Sequence, residues 1–193
     1  MTFVPPMPAR ERSRLVRPRH SSRGGAGKLR KHDPATGAIL TTVTVPFTWN
    51  TWSMQAAPAF GPTLAYVIAP PNLIAIDTTS DSIAWTAQGT FDGTPTIAGG
   101  TVYGLSAGTL QARDGDTGAL LWTFPGDKAL SFPAVVANGY VYVARTKNVY
   151  AVNIATLAQA WTDSVGGWLS LAAHKLFVAS ADGTLSAHQM SSE

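Results

Sequence analysis

The sequence predicts an all-β protein built from repeated units of four antiparallel strands. Clusters of Gly, Asn and Asp recur at similar spacing along the 193 residues. Between them lie short runs of β-branched, aromatic and aliphatic residues, such as 101–106 and 140–144, which have the length and composition of strands. No stretch has sustained helical periodicity. With 18 Gly and 13 Pro, the composition favours many short strands joined by tight turns.

A repeat begins at Leu29. Four segments align, and a fifth start, "LSAHQ" at 185–189, follows them. The four are "LRKHDPATGAILT" (29–41), "LIAIDTTSDSIAW" (73–85), "LQARDGDTGALLW" (110–122) and "VYAVNIATLAQAW" (149–161). Their shared anchor position is occupied by Asp33, Asp77, Asp114, Asn153 and Gln189, at intervals of 44, 37, 39 and 36 residues. These intervals are typical of propeller blades and similar repeat arrays.

A second aligned series lies upstream of each anchor and supplies two more strands around a turn. Examples are "PTIAGGTVYGLS" from Pro95 and "PAVVANGYVYVA" from Pro133. Gly99 with Gly100, and Asn138 with Gly139, are expected to form the hairpin turns. Each unit therefore predicts a β-propeller blade of four antiparallel strands. The units span about 29–50, 51–90, 91–128, 129–165 and 166–193.

The number of units predicts a partial propeller. Two strands of a first blade, three complete blades and about three strands of a last blade give roughly 17 strands, or about four blades. An open arc would leave two unpaired sheet edges and two bare blade faces. An incomplete array, a homodimer of two half rings and a tight four-blade ring are the three arrangements that this count allows.

The segment 110–122 indicates what the anchor residue does in each repeat. Asp114 is expected to accept backbone N–H groups across the turn, Thr117 to assist it, and Gly118 to take a positive φ. Trp122 follows on the outermost strand, where its ring can pack on the neighbouring blade. We predict the same interblade clasp at Asp33 and Gly37, Asp77 and Trp85, and Asn153 and Trp161, with Thr41 in place of Trp in the first unit. Leu157 at the Gly118 position predicts a turn of different shape there.

The spacing of Ala112, Asp114, Thr117, Gly118 and Trp122 resembles the tryptophan-docking motif of propellers in the pyrroloquinoline quinone (PQQ) repeat family. The resemblance covers roughly residues 29–189. Members with dehydrogenase activity have an axial quinone, a calcium ion, a catalytic Asp and often a vicinal cysteine pair. Other members are noncatalytic, such as the propeller lipoprotein of the bacterial outer-membrane barrel-assembly machinery. The sequence is more similar to the noncatalytic members.

The residues themselves supply no catalytic, cofactor-binding or metal-binding set. The chain has no cysteine, and most of its acids occupy turn positions. We therefore expect no cofactor and a protein that is not an enzyme, with protein interaction as its function and a second copy among the possible partners. The alternative is a partial or degenerate quinoprotein that binds PQQ or a metal. No small-molecule substrate is indicated.

Residues 1–28 have a different composition from the repeats. Nine of the 14 Lys and Arg lie within residues 1–31, with Glu11 as the single acid there. The Arg, Pro, Ser and Gly content predicts a basic, disordered extension. A second alternative is that this segment tethers the propeller to a membrane or a nucleic acid, although nucleic-acid binding is not the favoured function.

Targeting signals give little indication of compartment. No signal peptide as written and no membrane span is predicted. The family resemblance implies a bacterial periplasm or cell surface if the N-terminus is incomplete.

Three tryptophans fall outside the clasp positions. Trp49 and Trp52 lie in "PFTWNTWSM", and Trp168 lies in "SVGGWLS". Both segments are expected to connect blades. Since aromatic residues on connecting loops often contribute to protein interfaces, we consider these three as candidate partner contacts.

Overall fold

The computed structural model describes residues 14–16, 27–46 and 57–190. Their regular structure consists of eighteen β-strands in five antiparallel sheets. The predicted all-β class, with four-stranded antiparallel blades in a partial propeller, is therefore confirmed. None of the described residues belongs to a helix that is long and apolar enough to cross a bilayer.

The five sheets, which we call blades 1 to 5, follow one another along the chain. Blade 1 contains β1 (Arg14–Val16), β2 (Gly27–His32) and β3 (Ile39–Val45). Blade 2 contains β4 (Ala59–Phe60), β5 (Leu64–Ala69), β6 (Asn72–Asp77) and β7 (Ser82–Ala87). Blade 3 contains β8 (Phe91–Ala98), β9 (Thr101–Ser106), β10 (Thr109–Asp114) and β11 (Leu120–Phe124). Blade 4 contains β12 (Phe132–Ala137), β13 (Tyr140–Ala144), β14 (Val149–Asn153) and β15 (Gln159–Asp163). Blade 5 contains β16 (Trp168–Ala172), β17 (Lys175–Ala179) and β18 (Leu185–Gln189).

Within each blade the strands are hydrogen-bonded in sequence order, so every blade is a meander. By alignment with blades 2 to 4, blade 1 has the second, third and fourth strands, and blade 5 has the first, second and third. The structure differs from the sequence-based count by one strand, β1, which pairs with β2. This strand and the start of β2 lie in the segment 1–28 that was expected to be disordered; the rest of that segment lies outside the described residues.

Two-residue hairpin turns connect the first and second strands of blades 3 to 5. Gly99 and Gly100 have φ of +54° and +75°, and Asn138 and Gly139 have +50° and +73°. A turn in which both central residues have positive φ has a backbone twist that matches the twist of the flanking strands, as the sequence predicts. In blade 5 the same turn is made by Ala173 and His174, with φ of +47° and +55°, although neither is a glycine.

The apolar core lies between the blades. Side chains alternate along each strand, so each central strand presents one set to the preceding blade and one set to the following blade. Leu73 of blade 2, for example, packs in one cluster with Phe91 and Val102 of blade 3, and all three are buried. Full burial of a side chain of this size contributes about 1.5 to 3 kcal/mol. Contacts between successive blades therefore hold the array together.

Candidate functional site

The turn between β10 and β11 is held by the side chain of Asp114. Its Oδ1 atom accepts a hydrogen bond from the Thr117 backbone N–H at 2.8 Å and another from Thr117 Oγ1 at 2.7 Å. The Gly118 N–H donates to the Asp114 carbonyl at 2.9 Å, and Gly118 has φ of +74°. Because glycine takes positive φ without steric cost, these bonds close the turn and set the register of β11.

The same turn recurs in the neighbouring blades. Oδ1 of Asp33, Asp77 and Asn153 each accepts two backbone N–H groups at 2.7 to 3.2 Å. The residue at the Gly118 position has positive φ in every case, at Gly37, Asp81 and Leu157.

The expectation that Leu157 produces a different turn was wrong. Leu157 has φ of +57°, and its N–H donates to the Asn153 carbonyl at 2.8 Å, as Gly118 does to Asp114. The Asn153 N–H also donates to the Ala158 carbonyl, and half of the Leu157 side chain is exposed. The backbone bonds and the Asn153 side chain impose the conformation, at a cost of about 1 to 2 kcal/mol for a non-glycine residue.

The tryptophan of one blade docks on the anchor turn of the next. Trp85 lies on β7, the outer strand of blade 2, and its Nε1 donates to the Gly115 carbonyl in blade 3 at 2.8 Å. A Cβ atom added to Gly118 would lie 2.7 Å from Trp85 Cδ2. The indole therefore lies against the peptide backbone at Gly118. Gly118 has two functions, since it takes positive φ and leaves space for the ring.

Two further residues complete this contact, and their part in it was not predicted from the sequence. The Tyr66 ring lies 6.0 Å from the Trp85 ring, measured between centroids. At Gly115, an added Cβ would lie 2.6 Å from the Gly100 carbonyl oxygen and 2.7 Å from the Tyr66 hydroxyl. Gly115 thus has to be small because the hairpin of its own blade and Tyr66 of blade 2 both approach it.

Trp122 and Trp161 also lie on the outer strands of their blades. Trp122 makes an edge-to-face contact with Tyr103 at 6.1 Å and packs on the apolar cluster between blades 3 and 4. Trp161 contacts Tyr142 at 6.0 Å and stacks on His188 of blade 5 at 5.4 Å. The ring of each outer-strand tryptophan thus belongs to the packing between its own blade and the next.

Blade 1 replaces the tryptophan with a lysine on the adjacent strand. In blades 2 to 4 each tryptophan is the cross-strand partner of an alanine, and in blade 1 the corresponding pair is Thr41 and Lys31. Lys31 Nζ donates to the Thr78 carbonyl at 3.1 Å and lies 3.7 Å from Asp81 Oδ1. Thr78 follows its anchor as Gly115 follows Asp114, so the ammonium group and the Trp85 indole reach equivalent carbonyls.

Lys31→Ala is expected to lower the free energy of unfolding by about 1 kcal/mol, because it removes a charge-assisted hydrogen bond at a partly exposed position. The double variant Lys31→Ala/Thr41→Trp is expected to recover stability by recreating the alanine–tryptophan pair of the other blades. Urea unfolding followed by far-UV circular dichroism measures both. Lys28→Ala, at an exposed position of the same strand, is the control; an equal loss there would contradict the assignment.

The hydrogen bonds of the anchor turns shift the carboxyl pKa values. The side-chain and backbone groups of Thr117 lower the pKa of Asp114 below its ordinary value. Backbone N–H groups lower the pKa of Asp33 and of Asp77 in the same way. Hydrogen bonds from N–H and O–H donors favour the ionised carboxylate, so the folded state prefers these residues deprotonated.

Acid is expected to destabilise the propeller through these three turns. A carboxyl with a lower pKa in the folded state contributes stability above its unfolded pKa of about 4, and this contribution disappears as the pH falls through the folded value. The variant Asp33→Asn/Asp77→Asn/Asp114→Asn retains an oxygen acceptor, as Asn153 does naturally, and does not titrate. Thermal unfolding from pH 7 to pH 2.5 should show a smaller decrease in Tm below pH 4 for this variant. An unchanged decrease would contradict this role of the carboxylates.

Of the three tryptophans considered as candidate partner contacts, the structure describes Trp168. Trp49 and Trp52 lie outside the described residues. Trp168 was placed on a connecting loop, and this was wrong, since it is the first residue of β16. Its side chain is 53% exposed and makes an edge-to-face contact with Phe132 at 5.1 Å. Gly166 and Gly167, the two residues before it, lie directly against the backbone at Arg145 and Ala179.

Other polar clusters in the described residues also connect structural elements. Arg145 forms an ion pair with Asp127, which joins the second hairpin of blade 4 to the loop that precedes this blade. Arg113 Nη1 donates to the Gly118 carbonyl at 2.8 Å, and His32 Nδ1 lies 2.9 Å from the equivalent Gly37 carbonyl. Within residues 14–16, 27–46 and 57–190, no three His, Asp or Glu residues are grouped as metal ligands.

A family model described as "Outer membrane protein assembly factor BamB" matches residues 25–131 and 106–192. The chain belongs to this PQQ-like propeller family. Of the BamB-like family's solved structures, BamB from Moraxella catarrhalis superimposes with a TM-score of 0.73 at 18% identity. The match covers 94% of this chain and 56% of the Moraxella protein, so the chain spans a little over half of that protein's length.

Two other solved structures are similar in fold alone. The computationally designed Ika4 protein matches with a TM-score of 0.63 at 14% identity, over 75% of this chain and 96% of the designed one. A chain of the Mitotic Checkpoint Complex matches with a TM-score of 0.69 at 14% identity, over 95% of this chain and 63% of its own length. A comparison with curated protein sequences finds no match.

Proposed function

We propose that this BamB-like chain is a noncatalytic scaffold that binds another protein through the outer strands of its blades. The observation that carries the proposal is a row of exposed apolar side chains directly after the anchor turns. Ile39 and Leu40 of blade 1 and Leu120 and Leu121 of blade 3 are each more than half exposed, and Ile83 holds the same position in blade 2. We call these five residues the rim patch.

The position of the rim patch suits protein binding. The outer strand of each blade is a sheet edge, where backbone N–H and C=O groups are available to an added strand. Apolar side chains beside such an edge are typical of interaction surfaces when they recur on neighbouring elements. The interblade clasps fix the spacing between successive edges, so a partner would meet a rigid surface and lose little entropy in ordering it.

The structural contacts made by the acidic residues also support a noncatalytic scaffold function. Asp33, Asp77 and Asp114 each hold a turn through one carboxylate oxygen, and Asp127 pairs with Arg145. These roles are structural. The family's name describes BamB as an assembly factor, and a protein that assembles others through contacts has the same requirement for a rigid surface.

Site-specific crosslinking tests the proposal. A photo-crosslinking residue at Leu121 in the source cells is expected to give discrete protein adducts, whereas the same residue at Thr123, exposed on the same strand, is expected to give fewer. Leu120→Asp combined with Leu121→Asp should abolish the adducts formed from a crosslinker at Leu40. Adducts that persist in this variant, or that are equal at Thr123, would contradict binding at the rim patch. Dehydrogenase activity after addition of PQQ and Ca²⁺ would contradict the noncatalytic assignment.

A further inference from the structure

The sequence contains three Asp–Gly pairs, and the structure holds them in different ways. They are Asp92–Gly93, Asp114–Gly115 and Asp182–Gly183. An Asp–Gly pair can rearrange without an enzyme, because the glycine amide nitrogen can attack the aspartate side-chain carbon Cγ and form a five-membered succinimide ring. Glycine favours this ring closure, since it has no side chain beside the nitrogen and its backbone is conformationally permissive. The reaction requires that the nitrogen and Cγ face one another.

At Asp92–Gly93 the two reacting groups do face one another. The Gly93 N–H donates to Oδ1 of Asp92 at 2.8 Å, so the amide nitrogen lies against the carboxyl group that it would attack. Gly93 has φ of +82°, and among the described residues an added Cβ there would come no closer than 3.9 Å, to Pro133 Cγ. The Asp92 residue is exposed. Water and dissolved base therefore have access to the pair, and the space beside the nitrogen is open.

The backbone around Asp92–Gly93 lies at an irregularity of β8. This strand pairs with β9 at Phe91 and Asp92, and the register then shifts before pairing resumes at Thr96. A bulge of this kind interrupts the ladder of hydrogen bonds and bends the strand locally. Isoaspartate, the isomer formed by this reaction, has one more main-chain atom than aspartate. The bulge can take up that atom without a change in the pairing from Thr96 to Ala98.

The turn at Asp114–Gly115 keeps the two reacting groups apart. Oδ1 of Asp114 accepts the N–H and the hydroxyl group of Thr117. The Gly115 N–H donates instead to the Gly100 carbonyl at 2.8 Å. Ring closure releases a carboxyl oxygen as water and therefore needs the neutral carboxyl group. The hydrogen bonds from Thr117 also lower the pKa of Asp114, so they disfavour that neutral form.

Asp182–Gly183 is held apart in the same way. Oδ1 of Asp182 accepts the Thr184 N–H at 2.9 Å, and the Gly183 N–H donates to the Ser180 carbonyl at 3.1 Å. The backbone N–H of Thr184 lowers the pKa of Asp182 as well. Reaction at this pair, as at Asp114–Gly115, requires that both hydrogen bonds break first.

Asp163 has a contact similar to that of Asp92, but the next residue is serine. The Ser164 N–H donates to Asp163 Oδ1 at 2.6 Å. The serine side chain crowds its own nitrogen, and Ser164 Oγ lies 3.5 Å from the same carboxylate oxygen. In the part of the chain that the structure describes, the facing geometry and the glycine therefore occur together only at Asp92–Gly93.

We propose that Asp92–Gly93 is a site of spontaneous isoaspartate formation in the folded protein. The Gly93 amide loses its proton to base in the solvent, its nitrogen bonds to Asp92 Cγ, and a C–O bond of the neutral carboxyl group breaks to release one water. One water then opens the ring at either carbonyl carbon. Opening at the former main-chain carbonyl leaves the main chain running through Cγ and a free α-carboxylate. No oxidant or reductant is needed, and the product has the same mass.

The product is a substrate of a defined chemical class. The free α-carboxylate of an isoaspartyl residue is the methyl acceptor of isoaspartyl methyltransferases, which use S-adenosylmethionine as the donor. The aged chain is therefore expected to accept a methyl group at Asp92. This inference goes beyond the proposed scaffold function and does not depend on it, since the reaction occurs in blade 3 whether or not a partner binds the rim patch.

Peptide mapping of the aged protein provides the test. The folded 193-residue chain is kept at neutral pH and physiological temperature for several weeks and digested with trypsin. Cleavage after Lys and Arg places the three Asp–Gly pairs in different peptides, 32–113, 114–128 and 176–193. Electron-transfer fragmentation distinguishes isoaspartate from aspartate at equal mass. Isoaspartate at Asp92 should exceed that at each other pair at least about tenfold, because the other pairs must first lose two hydrogen bonds.

Incubation of the same chain in urea tests whether the fold causes this preference. Without the folded contacts, the three Asp–Gly pairs should form isoaspartate at similar rates. Equal isoaspartate at the three pairs of the folded chain would overturn the proposal. The same preference for Asp92 in urea would overturn it too, because the local sequence alone would then explain the reaction.

Two matched variants test the site itself. Asp92→Glu keeps the carboxylate but cannot form the five-membered ring, so it should remove most of the radioactive methyl label that isoaspartyl methyltransferase adds to peptide 32–113. Asp182→Glu, at another Asp–Gly pair, should leave that label unchanged. Mapping by peptide excludes label from deamidated Asn138, which lies in peptide 129–145. Far-UV circular dichroism checks that both variants are folded, and label that persists in folded Asp92→Glu would contradict the assignment.

Discussion

Trp85→Ala is expected to lower the free energy of unfolding by about 3 kcal/mol, through loss of the contact between blades 2 and 3. The substitution removes the ring that lies on Gly118, the hydrogen bond from Nε1 to the Gly115 carbonyl, and the contact with Tyr66. In a repeat array, stability depends on the interfaces between neighbours, so weakening one interface also reduces cooperativity. Urea unfolding followed by far-UV circular dichroism should show a lower midpoint and a broader transition.

Trp85→Phe and Trp168→Ala provide the controls. Phenylalanine keeps most of the apolar packing and loses the hydrogen bond, so we expect a cost of about 1 kcal/mol. Trp168 is a tryptophan of the same size that is half exposed and contacts Phe132, and its removal should cost less than that of Trp85. If Trp85→Ala and Trp168→Ala gave equal losses, the docking of Trp85 would not be an important source of stability.

The repeat could be predicted from the sequence because its signals are local. An Asp or Asn accepts N–H groups two and three residues ahead, and a residue with positive φ then closes the turn. Alternation of side chains along short strands gives the blade. These rules operate within about ten residues, so Asp33, Asp77, Asp114 and Asn153 could be identified as anchors without coordinates.

Contacts between distant residues could not be predicted in the same way. Lys31 is 47 residues from Thr78 in the chain, and the replacement of a tryptophan by a lysine on the adjacent strand leaves no local pattern. The expected turn shape at Leu157 was based on the backbone preference of a non-glycine residue. The surrounding hydrogen bonds overrode that preference.

Gly118→Ala is expected to be about as damaging as Trp85→Ala, with a loss of about 3 kcal/mol in the free energy of unfolding. Alanine at φ of +74° costs about 1 to 2 kcal/mol, and its Cβ would lie 2.7 Å from Trp85 Cδ2, so the indole must move. Gly37 isolates the first effect, because it has the same φ of +74° and an added Cβ there meets no atom within 4 Å. Gly37→Ala should therefore cost only about 1 to 2 kcal/mol in the same urea unfolding measurement.

A double-mutant cycle separates the two effects at Gly118. In the Trp85→Ala background there is no ring for the new Cβ to meet, so Gly118→Ala should cost about as much as Gly37→Ala does in the otherwise unchanged chain. The difference between the cost of Gly118→Ala with and without Trp85 measures the close approach of ring and backbone. If that difference is zero, Gly118 is required for its backbone conformation alone, and the indole does not depend on the absence of a side chain there.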